Sequence, residues 1–412
     1  MPSYLINNTA IDAEGPNLQT LLEHCYVAKI RPLCGCKAPG VPMYISKIAG
    51  VYHIKRMPDT GAEHHVACES YDPPPELSGL GEVMGSAIKE DVESGLTSLR
   101  FDFALTKTSG RTAPTPSDVE HDSVKTDSTK LTIRALLHYL WDRSKLTHWQ
   151  PTWQGKRSWG TIYKQLTHAA HGNQAKGLSL ADCLYVPQPF FVDRKDEIAG
   201  QRSAFLHSLT QTDGKARRLG IVVGEVKAIE NARYGFKIVF KQVPDYHFML
   251  SEDAHKRIHK RFENELALWG AFDGSHLVAI ATFGIGPTGL ASIEEIALML
   301  TTENWIPFTD LNEKNLIDRL TESNRRFIKG MRYNMSTKRP LASVELVDTS
   351  PAPTAMFITP ADTDEAYKQD LVDLTEKSKL LQWVWDIGSA MPHIPERSNP
   401  AAFESHSWSS NL

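Results

Sequence analysis

The chain has 412 residues with 41% hydrophobic and 23% charged side chains, the balance of a soluble globular protein large enough for two or three cores. A formal net charge of −4 excludes a uniformly cationic nucleic-acid coat, although it leaves room for local basic patches. Five cysteines in so long a chain exclude a secreted disulfide scaffold and point to a reducing cytoplasm.

Met1-Pro2-Ser3-Tyr4 has neither the basic nor the apolar region of a signal peptide. No apolar run approaches the ~20 residues that span a bilayer, so no membrane is expected. Residues 1–107 begin with a helix over Leu18–Ala28. A β-hairpin follows, Met43–Ile48 and Val51–Arg56 flanking Ala49-Gly50. Tyr71-Asp72-Pro73-Pro74-Pro75 is stiff because proline fixes φ and restricts its predecessor. Leu96–Lys107 reads as a strand.

Four side chains in this first module carry the sharpest chemistry of the chain. Cys34 and Cys36 flank Gly35, and His64 and Cys68 stand four residues apart, beyond the hairpin. Thiolate sulfur and imidazole nitrogen are zinc ligands, and four protein ligands fill a structural tetrahedral site. The expectation is a Cys3His zinc clip, with His65 competing with the preferred His64. Buried cysteines packing as small apolar residues are the alternative.

Residues 108–130 are rich in Ser, Thr, Pro and Asp with few large apolar side chains, a composition that reads as a flexible linker. A helix with Leu131, Ala135, Leu136, Leu140 and Trp141 opens the middle domain, 131–270. Its later part reads as strands Leu219–Ile229 and Tyr234–Val243. A helix capped by Ser251 follows, with Ile258, Phe262, Leu266 and Trp269 on one face and Gly270 as its stop. The last domain, 271–391, is expected to hold strand His276–Phe283 and helices in Ser292–Thr301 and Glu313–Lys329. Strands Ser343–Asp348 and Thr354–Ile358, a helix burying Tyr367, Leu371 and Leu374, and strand Leu381–Trp385 complete it. Residues 392–412 form a frayed tail. The fold class is therefore α+β or mixed α/β, a small β-rich zinc module joined to a larger body.

Several motifs in the first module are distinctive: Arg31-Pro32-Leu33-Cys34-Gly35-Cys36, Pro39-Gly40-Val41-Pro42-Met43-Tyr44-Ile45 and Lys55-Arg56-Met57-Pro58-Asp59-Thr60-Gly61. Cys68-Glu69-Ser70-Tyr71-Asp72-Pro73-Pro74 and Glu76-Leu77-Ser78-Gly79-Leu80-Gly81 continue the series. Together they resemble Domain of Unknown Function family 1173, a bacterial family met on plasmids and integrative elements. The resemblance implies a mobile-element setting and a ligand role for Cys34, Cys36, His64 and Cys68, with no established activity. The element order of the last hundred residues also resembles the helix–strand–strand–strand–helix core of PD-(D/E)xK, or restriction-endonuclease-like, nucleases. The acidic and lysine positions of that motif are missing from Pro340-Leu341-Ala342-Ser343 and Thr354-Ala355-Met356-Phe357, which implies an inactive copy.

An E-x-K does occur at Glu225 and Lys227, with Asp213 upstream, and could place a metal beside a phosphate. Alternating charges on a half-solvated strand look the same. Contact with nucleic acid is expected first from Trp153, Lys156, Arg157, Trp159 and Tyr163, where cations alternate with stacking faces. A second set is Arg325, Arg326, Lys329 and Arg332. Lys215-Ala216-Arg217-Arg218 is a further basic run. The cluster from Lys256-Arg257 to Lys260-Arg261 reads as the solvated face of a helix. Gly284-Ile285-Gly286-Pro287-Thr288-Gly289 lacks the Lys-Ser/Thr ending of a phosphate loop, and Pro287 removes an N–H donor. Cys183 reads as a core residue. The first function to follow is a non-enzymatic, zinc-stapled protein binding DNA or a DNA-processing partner. A metal-dependent nuclease using Glu225 and Lys227, and an interaction subunit without nucleic acid, are the alternatives.

Overall fold

A computed structural model describes residues 4–12, 15–48, 50–108, 128–210 and 216–398. Most of the linker expected at 108–130, the candidate Asp213 and the end of the tail fall outside these residues. The architecture is mixed α+β, built on several sheets.

The N-terminal sheet has the order β2-β1-β3-β4-β5, from Tyr4–Ile6 (β1), Thr9–Ile11 (β2), Leu33–Cys34 (β3), Val41–Ile48 (β4) and Val51–Arg56 (β5). The hairpin of β4 and β5 pairs Met43 with Arg56 and Ile48 with Val51, as its alternating pattern predicts. Helix α1 (Leu18–Val27) lays Leu22 and Cys25 against Ile6, Ile45 and Tyr52 in a small separate core. The strand expected over 96–107 is instead broken. Thr97–Leu99 pairs within a four-stranded sheet, Phe101 bridges to Leu131, and Thr106–Thr108 pairs elsewhere.

Helix α2 (Ile133–Arg143) is capped by the Thr132 hydroxyl, which accepts from the Ala135 N–H, and is buried along nearly its whole length. It packs on two long strands described next. Gly220–Asn231 (β6), Phe236–Phe240 (β7) and Phe248–Leu250 (β8) precede helix α3 (Glu252–Arg261) and helix α4 (Glu263–Ala271). His276–Ile285 (β9) and Ala291–Thr301 (β10) follow. Pairings β6–β7, β7–β8, β8–β10, β10–β9 and β9–β6 close into a five-strand ring. Residues on both sides of position 270 thus share one set of hydrogen bonds.

Two expectations fail in this ring. The segment 292–301 is a strand, because its apolar run pairs with β9 from His276↔Thr301 to Ile285↔Ala291, where both faces are largely buried. Gly286–Gly289, which superficially resembles a phosphate loop, is the turn of that hairpin, with Gly289 at φ +77°. Ser251 caps its helix as expected, accepting from the Ala254 N–H, but the helix breaks at Phe262. Gly270 lies inside α4 and stops nothing.

The C-terminal sheet runs α5 (Leu311–Glu322), β11 (Phe327–Lys329), β12 (Ala342–Leu346), β13 (Thr354–Thr359), α6 (Glu365–Ser378) and β14 (Leu381–Asp386). Strand order is β14-β13-β12-β11, with His148–Trp149 added at the far edge. The α6 crossover makes β13 and β14 parallel. Helix α5 ends seven residues earlier than the expected Lys329. Asn324 adopts φ +53°, and the Arg325 N–H returns to the Leu320 carbonyl (2.9 Å), a left-handed C-terminal cap.

That cap turns Arg325 inward. Its guanidinium meets Asp348, fully buried, through Nε (3.1 Å) and Nη2 (2.7 Å), while the Arg326 N–H donates to the same carboxylate (3.0 Å). Removing one partner of such a pair leaves a buried charge uncompensated. Asp348→Ala should therefore cost about 3–5 kcal/mol in urea unfolding. A loss below about 1 kcal/mol would mean that water replaces the pair.

Candidate metal centre

Cys34 ends β3, where backbone pairing with Tyr4 and Val41 fixes it. Cys36 lies in the turn that follows. A 3-10 turn over Gly61–Glu63 delivers His64 in extended conformation, and a tight turn closed by the Cys68 N–H on the His65 carbonyl (2.7 Å) brings Cys68 back. The chain thus carries two short chelating elements across the β4–β5 hairpin.

One donor atom from each of Cys34, Cys36, His64 and Cys68 lies within 4.8 Å of all the others, and the group could hold a metal ion. Cys34 Sγ and Cys68 Sγ are 3.6 Å apart, Cys36 Sγ and His64 Nδ1 3.4 Å, Cys68 Sγ and His64 Nδ1 3.8 Å. Tetrahedral bonds of ~2.3 Å to sulfur and ~2.0 Å to nitrogen place donors about 3.5–3.8 Å apart. These three of the six edges are close to those of that tetrahedron, and the others fall within 4.8 Å. His65 is excluded from the set: its Nδ1 accepts from the Ala67 N–H (3.2 Å), while its own N–H points at Cys36 Sγ (3.4 Å). The Ser70 N–H does the same for Cys68 Sγ (3.4 Å). Backbone donors aimed at sulfur stabilise thiolates and orient them.

The electrostatics agree with this. Hydrogen bonds with Cys34 and His64 pull the Cys68 thiol down to about 3, against its burial. The hydrogen bond with Cys68, together with burial, pushes the Cys34 thiol up. Without a cation the pocket tolerates little negative charge, and a dication would let the sulfurs ionise together.

The same segment reaches the body a few residues on. The Tyr71 hydroxyl donates to Glu345 on β12, and Asp72 receives Arg56 of β5 and Lys145 beyond α2. Burial opposes ionisation of Asp72, but the two cations outweigh it and hold its carboxyl below the ordinary range. Neighbouring His148 is driven down to about 3 by burial, so it stands neutral 3.7 Å from Asp72. Asp142, which accepts from the Tyr333 hydroxyl (2.6 Å), is pushed up to about 6 by burial. Of these groups, Arg56, Asp72, Asp142, His148, Tyr333 and Glu345 line a cavity of about 80 Å³ between module and body. Sequence reasoning passed over them, since only the position of Asp72 four residues after Cys68 hinted at the joint.

The other sequence-derived candidates do not converge. Glu225 is buried and saturated by Lys241 Nζ (2.6 Å), Gln242 Nε2 (3.1 Å) and His276 Nδ1 (2.7 Å), while Lys227 is exposed. Its carboxylate is held by three side chains, and Lys227 is not among them.

Trp153 and Trp159 are buried, the latter donating its indole N–H to the Pro187 carbonyl (2.7 Å). Arg157 is buried between the Trp149 and Trp153 rings and donates to the carbonyls of Leu146 (2.9 Å) and His148. Of that group Lys156 is exposed and Tyr163 half-buried. Arg326 is buried, Lys329 pairs with Glu313 (2.8 Å), and Arg332 donates to the Ser336 carbonyl (2.8 Å). A run of cations looks alike in sequence whether it is solvated or folded inward. Cys183 is buried, as expected of a core residue.

A family model described as "Protein of unknown function (DUF1173)" matches residues 4–388. No curated protein and no solved structure matches. The order α5, β11–β13, α6 is the one that suggested a nuclease core, and comparison with solved structures gives that likeness no support.

Glu345 makes the joint testable. It is 2% exposed, and burial raises its carboxyl from 4.5 to about 7 despite the Tyr71 hydrogen bond. A raised acid keeps its proton in the folded state, so its stabilising contribution is full below the unfolded value and is lost as pH rises toward 7. Relative to Glu345→Gln, the wild type should lose on the order of 3 kcal/mol between pH 4.5 and 7. Urea midpoints of both proteins across that range check it, and parallel pH profiles would remove the effect.

Proposed function

Because the chain belongs to DUF1173, a family described only as of unknown function, we propose from its chemistry that it is a zinc-stapled binding protein. Its target on this reading is DNA or a DNA-processing partner. The observation that carries the reading is the Cys34, Cys36, His64 and Cys68 tetrahedron.

Three sulfurs and one imidazole nitrogen suit zinc over magnesium or calcium, which take oxygen ligands. Four protein ligands leave no coordination position for a water or substrate, so the ion acts as a structural clip. The saturated Glu225 supports a role in binding over metal-dependent cleavage.

Support for DNA comes from α3. That helix keeps Lys256, Lys260 and Arg261 exposed, as Arg217, Arg218 and Lys156 also are, whereas Arg157, Arg325, Arg326 and Lys329 are drawn inside. The mobile-element setting rests on the family resemblance.

Elemental analysis of purified protein should find one zinc per chain, and Cys36→Ser, the ligand nearest the surface, should abolish it. A folded protein free of metal overturns the clip. In gel shifts the protein should retard DNA at low salt and release it as salt rises, because phosphate contacts displace counterions. No retardation at low salt favours an interaction subunit that never meets nucleic acid.

A further inference from the structure

A second concavity has none of the four cluster ligands in its lining. A cleft of about 740 Å³ opens between α3–α4 and the C-terminal sheet, within the ~300–1,000 Å³ typical of ligand pockets. Three structural units contribute cations to its wall. Arg134 comes from α2, Arg257, Lys260 and Arg261 from α3, and Arg332 from the loop before β12.

Unlike Arg325, which is paired with Asp348, Arg134, Arg257 and Arg332 have no carboxylate ion pair among the described residues. Arg134 donates to the Tyr333 carbonyl (3.2 Å), yet its Nε is buried with no hydrogen-bond partner among the described residues. Arg332 uses one nitrogen on the carbonyls of Ser336 and Arg339. Burial disfavours the charge of Arg134, and the nearby cations Arg261 and Arg332 disfavour it further. Guanidinium remains ionised in proteins, so the chain bears this repulsion as a standing cost. An arrangement of like charges around a large cleft calls for an anion to relieve it.

The acids of the same wall, among them Glu265 beside Arg134 and Glu313 and Asp310 near Arg332, offset that charge only in part. Glu294 pairs with Lys107 (2.7 Å), Glu313 pairs with Lys329 (2.8 Å), and Asp310 caps α5 through the N–H groups of Asn312 (2.8 Å) and Glu313 (2.9 Å). Burial raises the carboxyls of Glu265 and Glu295, the latter to about 7, which lowers the negative charge of Glu295 near neutral pH.

We propose that this cleft binds a phosphate-bearing ligand through Arg134, Arg257 and Arg332. Forked guanidiniums arriving from three directions suit the several oxygens of a phosphoryl group, each able to accept two parallel N–H bonds. The proposal rests on the nucleic-acid reading only for its preferred ligand, a DNA strand or its phosphorylated end. A free nucleotide offers the same chemistry.

The test titrates full-length protein with inorganic phosphate, ATP and a 5′-phosphorylated single-stranded oligonucleotide by calorimetry at two salt concentrations. Arg257→Gln, at a half-exposed position, should weaken binding roughly ten-fold. Arg134→Lys, which loses the fork but keeps the charge, should weaken it too. Lys256→Gln, exposed on the same helix but outside the cleft, should leave affinity for inorganic phosphate and ATP within about two-fold.

Equal loss in Lys256→Gln and Arg257→Gln would overturn the cleft in favour of diffuse attraction to the helix. DNA binding unchanged in both arginine variants, with no binding of phosphate or ATP, would overturn the cleft and leave the nucleic-acid reading intact. Binding of ATP or phosphate without DNA would sustain the cleft and overturn the nucleic-acid reading. No binding of any probe overturns both.

Discussion

The segment from Gly61 to Asp72 is held from both ends, and much of the N-terminal architecture depends on that restraint. One end supplies His64 and Cys68 to the ligand cluster. The other inserts Tyr71 against Glu345 and Asp72 between Arg56 and Lys145. The N-terminal sheet needs this help. Its apolar clusters are small, one around Leu22, Ile45 and Tyr52 and one around Cys34, Val41 and Met43. The core of the body, by contrast, runs continuously from Tyr71 to Trp385. A small sheet gains little from burial alone, and a metal that closes the long excursion between Cys36 and His64 replaces apolar area with coordination energy. Gly61 reflects how tight this is, since a Cβ there would meet Arg56 Nη1 at 2.8 Å and the Asp72 Cβ at 2.9 Å.

Beyond the module, the body treats cations in two ways. Arg157, Arg325 and Lys329 are internal, and each is matched: Arg157 by carbonyls and tryptophan faces, Arg325 by Asp348, Lys329 by Glu313. Such matching offsets desolvation without adding much net stability, and what it supplies is register. Arg325 joins the end of α5 to the end of β12, and Lys329 ties β11 back to α5. The cations around the large cleft differ. They sit close enough to oppose one another, and Arg134 Nε, like Arg157 Nε, is buried with no hydrogen-bond partner among the described residues. Unmatched buried donors carry a desolvation cost that structural residues usually avoid.

Legibility in the sequence followed the range of the interactions. The Cys-x-Cys and His-x3-Cys spacing, the hairpin about residue 50, the Ser251 cap and the strand–strand–helix–strand run after 340 are local patterns, and the structure contains all of them. Ile293, Ile296, Leu298 and Leu300 failed as a guide because an apolar run buried on both faces has no period to read. The decisive term there is pairing with β9 across a turn whose glycines resembled something else. The end of α5 was missed for a different reason: Asn324 is a modest signal, and a run of charged residues after it continued the helical pattern. Whether an arginine faces water or a buried aspartate is a long-range fact. Asp348 lies far from Arg325 in sequence, and nothing near either residue announces the other.

The metal cluster and the arginine cleft act on different joints, which bears on how the molecule would respond to each. The cluster sits wholly inside the N-terminal module and reaches the body through Tyr71 and Asp72. The cleft is walled by α2 and α3 on one side and by the Arg332 loop, β12 and α6 on the other. A ligand that binds only the folded arrangement stabilises it by mass action. An anion in the cleft would therefore tighten the contact between the five-strand ring and the C-terminal sheet, with no direct effect on the sulfur ligands. Loss of a metal held by the cluster would loosen the module while leaving the cleft walls, which share the large core, in place. A metal and a cleft anion would in this sense be separable stabilisers, because of where the chain places its cysteines and its arginines.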